Sequence, residues 1–415
     1  MSAADPILAP HGPGPAAAQA AGKAGVADAA AAAAASIGLR GFFAGGFECS
    51  THVLAGGRRL DLVASTRHDA FVDQDYARLA AFGIRTAREG LRWHRVEPAA
   101  GRYDFSTALP MLRAARRHGV RVIWDLMHFG WPDDVDPFGA ALADRLAGLG
   151  RAFAAVHRDE TGEPPLVCPV NEAGFLAWTG AEAGSINPFV ERRGYELKRQ
   201  LVRAAIEATR AVRDVDARAR FFQIEPVFNV VPAVPEQAEA AERYRRYQFQ
   251  VWDMLAGREC PELGGAPDCL DVVGVNYYPW NQWFYGDERD AGAQLPADHP
   301  GRRRFSDMLA ELHARYARPL YLGETGCEGD ARAGWLARIG EELHAALAAG
   351  LPVAGACLYP IVDFPGWEND RHCENGLWGY ADAAGQRPIH EPLAAELRRQ
   401  IGRFAPAAPA PGAAR

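Results

Sequence analysis

Lysine is nearly absent from this sequence of 415 residues, and its scarcity argues against one class of barrel enzyme. Only Lys23 and Lys198 occur, so arginine carries almost all of the positive charge. An enzyme that forms a Schiff base with its substrate needs a lysine at the reacting centre. Lys198 falls within a predicted helix and Lys23 within an alanine-rich segment, and neither follows a predicted strand. A Schiff-base aldolase is therefore strongly disfavoured.

The cysteines form no recognisable pattern. Their number is odd, and no two are spaced as Cys-x-x-Cys. They are Cys49, Cys168, Cys260, Cys269, Cys327, Cys357 and Cys373. Several fall within predicted strands, where a thiol acts as a small apolar group, so neither a disulfide framework nor a zinc site is indicated. A reducing cytosol suits this usage. The N-terminal segment also lacks the features of a secretory signal, and we expect a cytoplasmic protein.

Metal-ligand motifs, basic clusters and long apolar runs are missing as well. The 12 histidines are dispersed without a His-x-His pair, which disfavours a metal-dependent barrel hydrolase, and we expect no metal and no cofactor. The net charge of -7 leaves no basic stripe, so neither nucleic acid nor an anionic membrane is an expected partner. No apolar run approaches the roughly 20 residues that cross a bilayer.

Between two low-complexity tails, strand-like and helix-like segments alternate eight times. The tails, residues 1–38 and 405–415, are rich in alanine, glycine and proline and are predicted to be disordered. The predicted strands within the single domain 39–404 cover residues 42–48, 84–89, 120–125, 166–171, 220–225, 270–276, 320–324 and 353–359. An open doubly wound sheet would need a glycine-rich phosphate loop after its first strand, which Gly45-Gly46 does not supply. Eight repeats close a barrel, so a (β/α)8 TIM barrel is predicted.

The fourth, fifth and seventh predicted strands each end in, or run directly into, a glutamate. They deliver Glu172, Glu225 and Glu324. The carboxyl ends of barrel strands form the mouth that carries the chemistry, and a buried acid there is costly unless it has a function. Retaining glycoside hydrolysis uses two carboxyl groups about 5–5.5 Å apart, one as nucleophile and one as acid and base. Glu172 and Glu324 suit this pairing.

The strand-end segments carry an ordered set of motifs. They are Gly46-Phe47-Glu48-Cys49-Ser50, Arg88 with Trp93 and Arg95-Val96-Glu97-Pro98, His128-Phe129-Gly130-Trp131-Pro132, Val170-Asn171-Glu172, Gly274-Val275-Asn276-Tyr277-Tyr278 and Tyr321-Leu322-Gly323-Glu324-Thr325-Gly326. Over residues 42–380 this set resembles glycoside hydrolase family 1 and the wider clan A of barrel glycosidases, in a divergent form. The resemblance implies a β-glycosidase-like enzyme that acts on a carbohydrate or glycoside.

The resemblance also implies a role for each matching residue. Glu172 would be the general acid/base and Glu324 the nucleophile, with Glu172 kept protonated because it faces the charge of Glu324. The other implied roles are support of the nucleophile by Arg88, Tyr278 and Asn276, and sugar contacts by Asn171, His128 and Trp367. Other readings remain open for the last three: a turn cap, a core histidine and a tryptophan that only packs.

Several positions depart from the family pattern and bear on the substrate. After strand eight, Tyr359 replaces the usual tryptophan, and the glutamate that grips two sugar hydroxyls falls on Gly366, with Glu368 displaced nearby. The strand-one glutamine is missing, and Glu48 lies in its neighbourhood. We expect these changes to weaken recognition of a plain β-glucoside. Glu225 is either an added specificity contact or a salt-bridge partner within the barrel.

One motif is misleading, and two other functions remain possible. Glu374-Asn375-Gly376 matches the tripeptide that holds the nucleophile in many family 1 enzymes, but no apolar strand precedes it. We therefore keep the nucleophile at Glu324 and expect Glu374 to be a turn residue.

A catalytically silent carbohydrate-binding barrel and a transglycosylase that uses the same two glutamates are the alternatives. The oligomeric state does not follow from the sequence.

Overall fold

A computed structural model describes residues 15–286 and 293–406 of the protein. Within them, eight parallel strands form a closed barrel in which each strand pairs with its neighbours in chain order and the last pairs with the first. The barrel strands are β1 Phe43–Gly46, β2 Thr86–Gly90, β3 Arg121–Asp125, β4 Leu166–Cys168, β5 Arg220–Pro226, β6 Val272–Asn276, β7 Leu320–Thr325 and β8 Val353–Leu358. Every predicted strand begins within two residues of an observed one. The predicted TIM barrel is confirmed.

Helices surround the barrel. They are α1 Pro15–Ser36, α2 Leu62–Ser65, α3 His68–Phe82, α4 Trp93–Val96, α5 Leu109–His118, α6 Ala141–Thr161, α7 Ala173–Ala177, α8 Gly194–Val215, α9 Ala238–Arg246, α10 Gln250–Leu255, α11 Phe305–Tyr316, α12 Arg332–Ala348 and α13 Glu391–Phe404. Glycine ends α3 at Gly83, α5 at Gly119 and α6 at Gly162, each with the positive φ that glycine adopts without a Cβ clash. These glycines end the helices and let the chain turn back toward the strand that follows.

The N-terminal segment contradicts the prediction of a disordered tail over residues 1–38. Residues 1–14 lie outside the described residues, as do residues 407–415 of the predicted C-terminal tail, but α1 is a long helix. Ala30 is fully buried, and Ala34, Ile37 and Leu39 join the core inside the barrel with Leu166 at the start of β4. The segment therefore closes the N-terminal end of the barrel. Alanine-rich composition suggested disorder, yet small side chains also allow a helix to approach its neighbours closely.

Two small sheets lie outside the barrel. Asn229–Pro232 pairs in parallel with Gln282–Tyr285, and Phe364–Pro365 pairs antiparallel with His372–Cys373. Glu374 directly follows the second of these sheets and is exposed to solvent, far along the chain from any barrel strand end. This position agrees with a turn residue rather than a nucleophile. Among the described residues, no helix combines the length and apolarity that crossing a membrane requires.

Candidate active site

Glu324 reaches the mouth of the barrel because β7 contains a local irregularity. Tyr321 packs in the core inside the barrel, and a side chain on Gly323 would also point inward, against the Asn276 amide. Strict alternation along the strand would therefore turn Glu324 outward. However, the register between β6 and β7 shifts after Val275, so that Asn276 pairs with Glu324. An extra residue of this kind turns the following side chain, and here it directs the carboxylate toward the mouth.

Both carboxylate oxygens of Glu324 accept a hydrogen bond. Arg88 Nη1 donates to Oε1 at 2.7 Å, and the Tyr278 hydroxyl donates to Oε2 at 2.9 Å. Arg88 is fully buried and binds Asp125 through two further hydrogen bonds of 3.0 and 2.8 Å. Burial lowers the pKa of Arg88, but Asp125 and Glu324 outweigh it and raise that pKa above its usual range. Glu324 therefore faces a permanent cation and a hydroxyl donor.

Tyr278 stays a hydrogen-bond donor under all ordinary conditions. Burial raises the pKa of its hydroxyl well above the usual value, and the charges of Glu324 and Glu172 raise it further. The Tyr278 hydroxyl is therefore close enough to both glutamates for their charges to raise its pKa. Trp280 stacks on the Tyr278 ring, with ring centres 4.9 Å apart, and holds that ring in place. Arg88 and Tyr278 both contact Glu324, as the family resemblance implies, and their support of a nucleophile stays a prediction.

Glu172 lies in a different environment from Glu324. It follows β4 in the left-handed backbone region, with a φ of 46°, and its N–H donates to the Ile224 carbonyl at 2.9 Å. Asn276 Nδ2 donates to its Oε1 at 2.8 Å. Burial raises the pKa of Glu172 well above the usual value and the charge of Glu324 raises it further, whereas the Asn276 hydrogen bond lowers it. These influences together favour the protonated form of the Glu172 carboxyl group.

Asn276 does not support the nucleophile as predicted. Its side-chain amide donates to Glu172, and its Oδ1 has no hydrogen-bond partner among the described residues. The reason is the paired register: Asn276 stands beside Glu324 in the sheet, and its amide extends across the mouth to the carboxyl group from β4. Asn276 therefore places Glu172 close to Glu324. The sequence located this residue at the mouth but could not assign it to one of the two acids.

Asn171 and His128 lie beside Glu172 and Glu324 and bind each other. The amide of Asn171 donates to His128 Nε2 at 3.2 Å, and its Oδ1 accepts from Arg88 Nη2 at 2.6 Å. His128 Nδ1 in turn lies 2.8 Å from an Asp125 carboxylate oxygen, to which an N–H at that position donates. Sequence reasoning missed Asp125. Its signal was available, because it ends β3 two residues after the inward-facing Ile123.

Glu225 forms no salt bridge among the described residues, against one of its two predicted roles, and that it contacts a sugar stays a prediction. Ile224 points into the barrel, so alternation turns Glu225 outward, beneath the start of α7. There its Oε2 accepts from the Gly174 N–H at 2.9 Å. Burial raises the pKa of Glu225 to about 8, although the backbone hydrogen bond and Lys198 lower it. The residue supports the turn that carries Glu172.

Glu48 and Trp367 stand on the side of the mouth formed by β1 and the loop after β8. Glu48 is buried, and its Oε1 accepts from both the N–H and the hydroxyl of Ser50. Trp367 is partly buried and contacts His52 and Phe129 edge to face, with ring centres 4.5 and 5.7 Å away. That either residue touches a sugar stays a prediction.

Tyr359 and Cys49 form the inner wall next to His128. The Tyr359 ring lies parallel to that of His128, with ring centres 6.0 Å apart, and the Arg88 guanidinium carbon is 5.4 Å from its centre. Cys49, Asp125 and His128 also bring possible metal-ligand atoms within 4.8 Å of one another. These donors already bind each other and Arg88, and burial raises the pKa of the Cys49 thiol well above its usual value. The cluster fits a hydrogen-bonded wall better than a cation site.

The closed (β/α)8 barrel, with Glu172 shortly after β4 and Glu324 within β7, is the arrangement that the family resemblance implies. Comparison with solved structures agrees. The family 1 β-glucosidase from Thermotoga maritima superposes with a TM-score of 0.72 at 15% sequence identity, covering 88% of this chain and 98% of that chain. The AHE enzyme from Alicyclobacillus herbarius gives a TM-score of 0.71 at 18% identity, covering 87% and 98%. No family model and no curated protein matches the sequence. At such identities the likeness establishes a shared fold, and at that level the resemblance read from the motifs is confirmed.

Proposed function

We propose that the protein is a retaining glycosidase that cleaves a β-linked O-glycosidic bond through a covalent glycosyl-enzyme intermediate. The observation that carries the proposal is the contrast between the two acids. Glu324 accepts from Arg88 and Tyr278, whereas Glu172 is buried with a raised pKa and receives only an amide donor among the described residues. A nucleophile and a proton donor need these opposite protonation states at one pH.

In the first step, a Glu324 oxygen attacks the anomeric carbon while the bond from that carbon to the leaving oxygen breaks. Glu172 gives its proton to the leaving oxygen, so the aglycone departs as a neutral alcohol. Arg88 and Tyr278 hold the attacking carboxylate in position without competing for the proton, because both remain protonated. The hydrogen bond from Asn276 holds the donor carboxyl group of Glu172 in position near the nucleophile.

In the second step, Glu172 acts as a base. Glu324 is now an ester and carries no charge, so the electrostatic cause that helped to keep Glu172 protonated is removed. Glu172 takes a proton from water, the water oxygen attacks the anomeric carbon, and the bond to Glu324 breaks. Glu172 and Glu324 recover their starting protonation states, and the sugar leaves with its original anomeric configuration.

The test combines product analysis with a matched pair of variants. A panel of nitrophenyl glycosides identifies the best substrate, and NMR of the first product identifies its anomer, which should be the retained one. Glu324→Gln should lower kcat/KM by at least about 10³-fold, because it removes the attacking group. Glu374→Gln is the control, since it alters the exposed glutamate of the misleading Glu-Asn-Gly motif and should leave turnover unchanged. Near-normal turnover by Glu324→Gln, or an inverted product, would refute the proposal.

Azide distinguishes the roles of the two acids. In Glu324→Ala, azide can replace the missing nucleophile and should give a glycosyl azide of inverted configuration. In Glu172→Ala, azide attacks the intermediate and should give a glycosyl azide of retained configuration. The rate loss in this variant should be smallest for substrates whose leaving group needs no protonation. Sugar binding without turnover of any glycoside would instead indicate a silent carbohydrate-binding barrel. Efficient transfer to an added sugar alcohol in place of water would indicate a transglycosylase.

A further inference from the structure

Two of the ten tryptophans are exposed to solvent, and both lie next to the candidate catalytic groups. Trp178 is 51% exposed and Trp280 is 49% exposed, whereas the other eight are buried or partly buried. An exposed tryptophan leaves a large apolar surface in contact with water, which is unfavourable unless that surface has a partner. The position of each exposed ring in the fold indicates what that partner is.

Trp178 extends from the helix that begins after Glu172. Phe175 and Trp178 follow Glu172 at intervals of three residues, the spacing at which helical side chains are neighbours. The ring centres of Phe175 and Trp178 are 6.0 Å apart, and the Phe175 ring is 5.7 Å from the buried ring of Phe129. Trp178–Glu182 also forms a π-helical turn, a rare conformation that is found mostly at functional sites. A row of three rings therefore runs from the mouth of the barrel to solvent, along the helix that carries the proposed acid/base.

Trp280 stands on the β6 side of the mouth. Its ring lies parallel to that of Tyr278, at an angle of 4° and with ring centres 4.9 Å apart, so Tyr278 covers one face of the indole. The turn that joins them is held by Asn281, whose N–H donates to the Tyr278 carbonyl and whose Oδ1 accepts from the Tyr278 N–H, both at 3.1 Å. The Tyr278 hydroxyl binds Glu324. The exposed indole is therefore one ring away from the proposed nucleophile.

The proposed reaction requires the leaving group to pass close to both rings. Glu172 protonates the leaving oxygen, so the rest of the leaving group extends from Glu172 toward solvent. Glu172 lies between the two segments that carry the exposed tryptophans, because it begins α7 and accepts a hydrogen bond from Asn276, two residues before Tyr278. The group that departs from Glu172 therefore meets the α7 side of the mouth and the β6 side.

We propose that Trp178 and Trp280 are specificity-determining residues that bind a leaving group with a flat apolar face. Aromatic alcohols offer such a face, and so does the carbon–hydrogen face of a sugar ring. Both stack on an indole, which supplies a large and rigid apolar surface. This inference rests on the proposed function, because it assigns the exposed rings to the group released in the first step.

The experiment uses glycosides that carry the best sugar of the nitrophenyl panel and differ only in the leaving group. Ethyl and phenethyl glycosides release alcohols of similar acidity, so the chemical step is matched and the phenyl ring is the difference. The wild type should have a kcat/KM at least about 10-fold higher for the phenethyl glycoside than for the ethyl glycoside. A disaccharide with the same sugar linked to glucose is the third substrate.

The readout is the ratio of the phenethyl or disaccharide kcat/KM to the ethyl value. Trp178→Ala should lower this ratio about 5- to 20-fold, and Trp178→Phe should retain part of it, because an aromatic ring is kept. Trp280→Ala should lower the ratio as well. If Trp280 only held the Tyr278 ring, its loss would lower kcat/KM for all three substrates and leave the ratio as in the wild type.

Tyr247→Ala is the matched control. Tyr247 is 48% exposed, but it lies directly after α9 and lines a surface cavity together with Glu311 of α11. An exposed aromatic ring outside the barrel has no access to the leaving group, so this variant should keep the wild-type ratio. Thermal unfolding of all variants checks that each protein is folded.

The outcomes separate the two proposals. A larger fall of the ratio for the disaccharide identifies a sugar as the leaving group, a larger fall for the phenethyl glycoside identifies an aromatic alcohol, and both support the proposal. An unchanged ratio in either alanine variant refutes the role of that tryptophan and leaves the glycosidase assignment standing. The same holds if Trp178→Ala instead lowers the molecular mass in solution, which would make the exposed indole a contact between copies of the chain. If the wild type cleaves no glycoside at all, the proposed function itself fails.

Discussion

Protonated His68 is expected to contribute about 3 kcal/mol of stability, which is lost as the pH rises from about 6.5 to about 9. His68 lies fully buried at the start of α3, where its Nδ1 donates to Asp75 and its Nε2 to Glu89, both at 2.8 Å. Tyr76 donates to the same Glu89 oxygen at 2.7 Å. Burial lowers the pKa of His68, but the charges of Glu89 and Asp75 outweigh it and raise that pKa from 6.5 to about 9.

The sign and size of the effect follow from this raised pKa. Below the unfolded-state pKa of 6.5 the contribution is fully present, and it disappears as the pH rises through about 9. Between these values the unfolding free energy should fall by about 1.4 kcal/mol per pH unit, because the folded protein holds one more proton than the unfolded chain. Asp75 keeps Arg387 and Arg78 as partners, whereas Glu89 has no other cation among its described contacts. Loss of the proton therefore leaves Glu89 as a buried, unpaired charge.

The assay is urea unfolding at constant ionic strength between about pH 6 and pH 10. It should be followed by tryptophan fluorescence and far-UV circular dichroism, which must coincide for a free energy to be defined. At each pH, the unfolding free energy of His68→Gln is subtracted from that of the wild type, which removes the contribution of all other groups. Glu89→Gln is a second comparison, because it removes the carboxylate whose charge raises the pKa of His68 more than that of Asp75 does. The loss of stability should then move to lower pH. Parallel pH profiles for the wild type and His68→Gln would contradict the argument.

Two further predictions concern the residues that hold the acid/base. Asn276→Ala removes the hydrogen bond that lowers the pKa of Glu172. The alkaline limb of the kcat/KM profile should therefore move to higher pH, and the maximum of the profile should fall. An unshifted limb would show that Asn276 does not act on Glu172. Glu225→Ala removes the acceptor of the partly buried Gly174 N–H and should lower both stability, by about 1–3 kcal/mol, and turnover, as measured by urea unfolding and initial rates. Glu225→Gln keeps a neutral acceptor and is the matched control; equal loss in both variants would mean that the hydrogen bond is not the cause.

Much of the fold could be read from the chain because its signals are local. Apolar runs of strand length alternate with amphipathic helices, and glycines such as Gly83 and Gly119 end those helices wherever a positive φ is needed. The count of eight then determines closure. The same kind of local pattern, an apolar run that leads into a glutamate, predicted Glu172 and Glu324 at strand ends. The reading failed at α1, because alanine-rich composition suits both a disordered tail and a helix that packs closely against the bottom of the barrel.

By itself, the sequence determined the barrel, the order of its strands and the pair of acids at its mouth, since each of these depends on residue type and spacing along the chain. Only the tertiary structure decided which way each side chain faces. The register shift between β6 and β7 turned Glu324 inward, and strict alternation on β5 turned Glu225 outward. The same register also leaves Asn276 beside Glu324 in the sheet, with its side chain hydrogen-bonded to Glu172. Register is a relation between two strands, and a single strand's residues do not contain it.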